Sequence, residues 1–205
     1  MYKRYIKRLL DILFSVILLP LILPVIILFG LLIKIEDGGP VFYSGERLGK
    51  AKKTFKMYKL RSMKVNSPDV RNEDGSTFNS VDDPRLTNLG KFIRKTSIDE
   101  LPQIINVLIG NMSFVGPRPD LPEALDFYNG SEIHKLDVRP GVTGYNQAYY
   151  RNAIAQREKF KNDIFYVNNI SLKMDFQIIY TTMINVIRRK NINIESEVYE
   201  KKQIK

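Results

Sequence analysis

The 205-residue sequence predicts a mainly α-helical fold with a small β element, an α+β class, held on one face of a membrane as a monotopic protein. Three observations carry this. Residues 12–33 form a run of 22 residues without charge, interrupted by Pro20 and Pro24. Basic residues flank the run on both sides, Lys3, Arg4, Lys7 and Arg8 before it and Lys34, Arg47, Lys50, Lys52, Lys53 and Lys56 after it. Beyond it, apolar residues recur mostly at helical spacing, and two short stretches alternate as strands do.

Twenty-two helical residues cover about 33 Å, enough for a hydrocarbon core of roughly 30 Å. A crossing helix carries its basic excess on the cytoplasmic side alone, and here neither end looks like the outside. Each proline lacks an amide hydrogen and frees an upstream carbonyl, so two of them four residues apart favour a sharp bend. The expected result is a re-entrant hairpin with arms at residues 12–19 and 25–33, each about 12–14 Å long, roughly one leaflet. Ser15 is expected to supply a local side-chain bond inside lipid, where a bare backbone group costs several kcal/mol. A kinked single-pass helix stays open, because membrane spans tolerate proline. A cleaved signal peptide fits poorly, since the run is long and no small-x-small site follows it.

After this anchor, residues 1–35, one domain is expected over residues 36–190, followed by a polar tail at 191–205. Val41-Phe42-Tyr43 and residues 54–58 read as a small hairpin. Residues 66–85, polar with Pro68, Gly75 and Pro84, read as a long surface loop able to act as a lid. Residues 89–95 and 101–109 read as helices, and breaks follow at 116–122 and 139–141. In the last third, Leu172, Phe176, Ile179, Met183 and Ile187 recur at helical spacing, ending in Arg188-Arg189-Lys190. Such a stripe faces either a protein core or a lipid interface, the latter as an interfacial amphipathic helix.

The charge balance of 32 basic against 22 acidic residues, net +10, suits anionic headgroups, phosphorylated substrates or nucleic acid. Nucleic-acid binding rests on net charge alone, since no basic-aromatic module is present, and it is not expected. With no cysteine and His134 as the single histidine, a divalent metal must sit on oxygen, which favours Mg²⁺, with Mn²⁺ next. The lack of disulfides is consistent with a cytoplasmic face.

The densest chemical constellation is KFIRKTSIDELPQ, residues 91–103. Asp99 and Glu100 are adjacent carboxylates, preceded by Arg94 and Lys95 and placed where a helix begins. A helix start offers free amide hydrogens and partial positive charge to carboxylate or phosphate. The same residues also match a capping box, with Glu100 bonding back to Ser97. Lys59 and Arg61 in KLRSM, Arg118 in GPRP, Arg139 in VRPGVTG and Arg151 in YYRNA sit at backbone breaks, where an arginine fork loses little entropy on pairing with phosphate oxygens. Five such residues with an acidic pair, on a lipid-anchored chain, suggest a diphosphate site. Tyr145, Tyr149 and Tyr150 could stack on a base or sugar, or could be core aromatics. A non-catalytic basic protein that binds the membrane surface is the competing reading.

Taken together and in order, the Pro-broken basic N-terminus, KLRSM, RKTSIDELPQ, NVLIGNMSFVGPRP and VRPGVTG resemble the bacterial sugar transferase family, small monotopic phosphoglycosyl transferases, over residues 7–190. The resemblance implies transfer of sugar-1-phosphate from a UDP-sugar to undecaprenyl phosphate, with release of UMP, at the cytoplasmic face of the bacterial inner membrane. It implies Asp99 as nucleophile, Glu100 as activator of the acceptor phosphate, and Mg²⁺ near Asp99. It ranks Arg94 and Arg118 first for holding phosphate, then Arg151, with Lys59 and Arg139 behind. Members commonly carry a tryptophan in GxTGWAQVNGRN, where this chain reads GVTGYNQAYYRN. The sugar and the oligomeric state are not legible.

Overall fold

A computed structural model describes residues 1–70, 83–150 and 154–188. The chain is mostly helical with two small sheets. Helix α1, Lys7–Asp37, is continuous through Pro20 and Pro24, so the two expected arms belong to one helix. It ends at Gly38, whose φ of 70° lets its N–H close back on the Lys34 carbonyl. By length and composition α1 can cross a membrane.

One stripe of α1 faces the protein: Asp11, Ser15, Ile26, Gly30 and Ile33 are buried, at spacings that repeat the helical turn. Most other side chains, including Leu13, Phe14, Ile17, Leu21, Ile27 and Leu31, are exposed hydrocarbon. A soluble protein rarely leaves so much apolar surface uncovered, and this fits membrane association. Ser15 corrects one expectation: its hydroxyl is fully buried and has no hydrogen-bond partner among the described residues. Its contribution to the buried stripe is small size.

Both ends of α1 are fastened to the same body. At the start, Tyr2 and Lys7 each donate to Asp175 Oδ2 at 2.6 Å, and Arg8 donates to the Val107 and Leu108 carbonyls. Asp11 accepts from Ser113 Oγ and the Phe114 amide, both at 3.0 Å. At the other end Asp37 pairs with Arg61, and Ile26 and Ile33 pack with Leu60 and Ile93.

Strands β1 (Phe42–Leu48) and β2 (Thr54–Leu60) form the expected antiparallel hairpin, from Phe42 opposite Leu60 to Leu48 opposite Thr54. Helix α2, Asn88–Lys95, begins at Thr87, whose hydroxyl accepts from the Gly90 amide at 2.8 Å. A Cβ on Gly90 would lie 1.9 Å from the Ser62 carbonyl oxygen, so only glycine allows α2 to meet the chain leaving β2. A tight turn, Ile98–Glu100, leads to α3, Gln103–Ile109, which ends at Gly110 in the left-handed region. Ser97 has φ 58° and makes no side-chain cap, so the expected capping box is not formed there. That device occurs instead at Asn129 and Glu132.

Strands β3 (Ser113–Val115) and β4 (Gly141–Thr143) pair in parallel, with Ser113 opposite Gly141. Among the described residues the remaining α-helices are α4 (Tyr145–Tyr149), α5 (Gln156–Asn168) and α6 (Leu172–Ile187), with tighter 3-10 turns at Pro122–Phe127 and Gly130–Asp137. Val115, Val138, Ala148, Tyr166, Val167 and Ile178 form one core cluster, while Met57, Val107 and Met112 form another beneath α3. Helix α6 turns its apolar stripe outward: Leu172, Phe176, Ile179, Met183 and Ile187 are exposed. Asp175 and Ile178 face inward with Thr182, which bonds Thr143, and Asn185, which bonds the Ala148 carbonyl. The core-facing reading of that stripe is therefore corrected. Residues 71–82 of the expected lid, Arg189, Lys190 and the tail lie outside the described residues.

Candidate active site

Asp99 and Glu100 occupy the turn between α2 and α3, and three other elements deliver cations to them. Lys59, near the end of β2, donates to Glu100 Oε1 at 2.7 Å. Arg118, in the segment after β3, approaches the same oxygen at 4.0 Å, and its side chain is 58% exposed. Arg94, in the last turn of α2, donates from Nε to Ser62 Oγ at 3.1 Å and interacts electrostatically with Asp99 and Glu100. Burial pulls the Arg94 guanidinium below its ordinary value, while Asp99 and Asp83 act against that.

The two carboxyls are pushed apart. Burial is the largest influence on Asp99 and raises it from 3.8 to about 6; Lys59 and Arg94 pull down, and neighbouring Glu100 pushes up. Burial also pushes Glu100 up, but Lys59, Arg118 and Arg94 outweigh it and hold that carboxyl well below its ordinary range. The pair thus combines a permanent anion with a desolvated carboxyl that loses its proton just below neutrality. Such separation of two titrating neighbours is a mark of acid–base or nucleophilic sites.

Behind the dyad stand two buried ion networks that the sequence reading missed. Asp83 and Arg85 pair through several bonds, the shortest 2.6 Å, and Asp83 also acts on Arg94. Lys135, 4% exposed, bridges Asp120 at 2.6 Å and Asp163 at 2.8 Å, with Tyr128 donating to Asp120 and Asn146 to Asp163. Asp120 lies two residues after Arg118, and its carbonyl accepts from the Leu48 amide at 2.8 Å. The segment bearing Arg118 is thereby tied to β1, to α5 and to the turn carrying Lys135. The signal available in the sequence was an acid and a base flanking proline, in Asp83-Pro84-Arg85 and Arg118-Pro119-Asp120.

Four predicted cluster members are therefore together with Asp99: Glu100, Lys59, Arg94 and Arg118. Arg61 is not among them. Its guanidinium bonds Asp37, the Pro40 carbonyl and the Met63 carbonyl, clamping the end of α1 to the end of β2. Arg139 is also elsewhere, with Nε on the Gly110 carbonyl at 2.8 Å, at the opposite end of α3. Arg151 lies outside the described residues. Tyr145 packs against Tyr149, Tyr150 and Phe165 with ring centroids 4.8–6.2 Å apart, an aromatic cluster whose members Tyr149, Tyr150 and Phe165 are exposed.

Among the described residues, no three acidic or histidine side chains converge on one point. Asp99 and Glu100 supply two carboxylates. That donor set fits Mg²⁺, which takes one or two carboxylates from the protein and completes its shell with water and phosphate oxygens.

Residues 2–189 match the family described as bacterial sugar transferase. The chain belongs to that family. Among similar proteins, the UDP-N-acetylgalactosamine-undecaprenyl-phosphate N-acetylgalactosaminephosphotransferase of Aeromonas hydrophila is 39% identical over 189 residues, 89% of this chain and 44% of its own length. The undecaprenyl-phosphate galactose phosphotransferase of Salmonella typhimurium is 39% identical over 198 residues, 91% of this chain and 41% of its own. The uncharacterized sugar transferase EpsL of Bacillus subtilis is 40% identical over 194 residues, 94% of this chain and 93% of its own. This bacterial sugar transferase spans less than half the length of the first two relatives and nearly all of the third. All of the cluster around Asp99 falls inside the matched region.

Proposed function

We propose that this protein transfers sugar-1-phosphate from a UDP-sugar to undecaprenyl phosphate, with Asp99 as the nucleophile. The observation that carries the reading is the Asp99–Glu100 pair: one carboxyl desolvated and poised near 6, the other pinned as an anion by Lys59, Arg118 and Arg94. The names of the relatives supply the chemistry of donor and acceptor, and the site supports it.

In the first step an Asp99 carboxylate oxygen attacks the sugar-bearing phosphorus, the bond to the bridging oxygen breaks, and UMP leaves. In the second, an oxygen of undecaprenyl phosphate attacks the same phosphorus, Asp99 departs as carboxylate, and the polyprenyl-diphospho-sugar forms. Two displacements let one pocket serve a soluble donor and a lipid acceptor in turn. Arg118, the most exposed of the cations, is placed to hold donor phosphate, and Arg94, braced by Ser62, to offset charge beside Asp99. Glu100, as an anion, would help activate the incoming phosphate by holding Lys59 and Arg118 beside it. Mg²⁺ held by Asp99 would neutralise the diphosphate when bound.

The same reading places the protein on one side of the inner membrane, at its cytoplasmic face. Support comes from α1, whose two ends bond to the same body through Asp175 and Arg61. A helix crossing the bilayer would leave its ends roughly 30 Å apart on opposite sides. A bend at Pro20 and Pro24 within the continuous α1 would return it to the face it entered while both attachments hold, and the outward stripe of α6 would lie in the interface.

The test uses purified protein in nanodiscs, offered a panel of UDP-sugars. The expected result is UMP release with a phosphosugar adduct on the intact protein, both lost in Asp99→Asn. Full turnover by that variant would remove Asp99 from the role.

A further inference from the structure

At the end of α3 remote from Asp99, a cavity of about 60 Å³ opens among the start of α1, the β1–β2 turn and the chain before β4. Its walls carry Lys3, Lys7, Arg8, Lys50 and Arg139 against Asp11 and Asp137, a surplus of three positive charges. The partners of these groups decide what the cavity attracts. Lys7 is neutralised by Asp175 at 2.6 Å. Asp11 is occupied by Ser113 and the Phe114 amide, and Asp137 pairs with His134 at 3.0 Å.

The other cations have no carboxylate in hydrogen-bond contact among the described residues. Arg8 donates to the Val107 and Leu108 carbonyls at 2.6 and 2.9 Å, and Lys3 to the Val167 carbonyl at 3.1 Å. Arg139 uses only Nε, on Gly110, so its two terminal nitrogens have no partner among the described residues. The Lys50 ammonium, in the hairpin turn, has none among them either. Neutral carbonyls orient Arg8 and Arg139 without cancelling their charge. The result is a pair of held guanidiniums and a free ammonium around a space about four to five times what one water needs, the bulk of an oxyanion of five heavy atoms. An arginine fork matches such an oxyanion in shape as well as charge.

We propose that this cavity binds a phosphate group, with Arg139 and Lys50 as its direct ligands and the headgroup of an anionic membrane lipid as its source. Two features favour lipid. The wall residues Lys7 and Arg8 lead directly into the apolar part of α1, where Leu9, Ile12 and Leu13 are exposed, so the cavity opens where headgroups would meet hydrocarbon. Basic residues near an anionic leaflet are drawn to its negative surface potential. The site is separate from the catalytic one. The seven residues of α3 lie between them, roughly 10 Å of helix.

The test measures the melting temperature of the full-length protein in uncharged detergent with three probes: dioctanoyl phosphatidylglycerol, inorganic phosphate and dioctanoylglycerol. Phosphatidylglycerol in large excess is expected to raise it by about 5 °C. The gain should disappear in Lys50→Gln/Arg139→Gln and persist in Asp99→Asn. If inorganic phosphate gives the same gain in the wild type and none in the double variant, the anion site stands with free phosphate as the source. A gain that survives the double variant, vanishes in Asp99→Asn, is matched by dioctanoylglycerol, or appears with neither phosphate probe overturns the proposal. Should the double variant not fold, Lys50→Glu, on an exposed turn, takes its place and must lower the gain.

Discussion

Replacing Lys59 by methionine removes the cation that contacts Glu100 at 2.7 Å and that does most to hold the Asp99 carboxyl down against burial. In the wild type, Asp99 titrates at about 6, so the carboxylate is half formed there. It is about nine-tenths formed at pH 7 and a tenth at pH 5, if the carboxylate is the reactive form. The acid limb of kcat/KM, which reports the free enzyme, should therefore fall about tenfold between pH 7 and 5. Losing Lys59 moves Asp99 upward, on the order of one unit, equivalent to about 1.4 kcal/mol. At pH 6 the ionised fraction drops from a half to about a tenth, and the rate by about fivefold; above pH 8 the two proteins converge on this account. Lys59→Arg keeps the charge and should keep the limb near 6. The assay is initial UMP release from a UDP-sugar across pH 4.5 to 8.5, with circular dichroism to confirm folding. A limb in Lys59→Met at or below that of the wild type would refute the electrostatic reasoning, because burial alone would then set the nucleophile.

Asp99→Asn should stabilise the protein at neutral pH. The folded-state value lies above the unfolded 3.8, so this residue's favourable contribution is complete below 3.8 and is lost as pH rises through about 6, up to about 3 kcal/mol; a neutral amide escapes that loss, and thermal melts at pH 7.5 and 4 should show the gain only at the former. Lys135→Met leaves Asp120 and Asp163 buried without their cation and should cost about 3–5 kcal/mol, read from denaturant melts, with a raised KM for the donor because the Arg118 segment loosens. Phe176→Glu with Ile187→Glu changes only exposed positions of α6 and should reduce co-sedimentation with vesicles while leaving the melting temperature of the detergent-solubilised protein within about 2 °C.

Local pattern made the hairpin, α2 and α3 legible, because strand alternation and helical spacing are set by the pleat and the turn. The residues near Asp99 were legible as short strings, KLRSM, RKTSIDELPQ and GPRP, whose order resembled a family. Arg61 and Arg139 show where that reasoning stopped. An arginine at a backbone break looks the same whether its fork meets a phosphate, a carboxylate such as Asp37, or the open carbonyls at the end of α3, since the partner is distant in sequence. For α6, periodicity revealed an apolar stripe but not the material that covers it. Its protein-facing side holds Asp175, Thr182 and Asn185, polar residues satisfied by Tyr2, Lys7, Thr143 and Ala148. Ser97 to Glu100 matched a cap by spelling, yet the left-handed φ of Ser97 leaves its side chain without that role.

The bonds from Tyr2 and Lys7 to Asp175 have a consequence for biosynthesis. They join positions as many as 173 residues apart. At synthesis rates of 5–20 residues per second, roughly 9 to 35 s separate the emergence of the two partners from the ribosome. During that interval the leading end of the nascent apolar helix has only the earlier partners of Arg8 and Asp11, at residues 107–114, to grip, and before those emerge its insertion depth is set by lipid alone. Helix α6, made later, then latches α1.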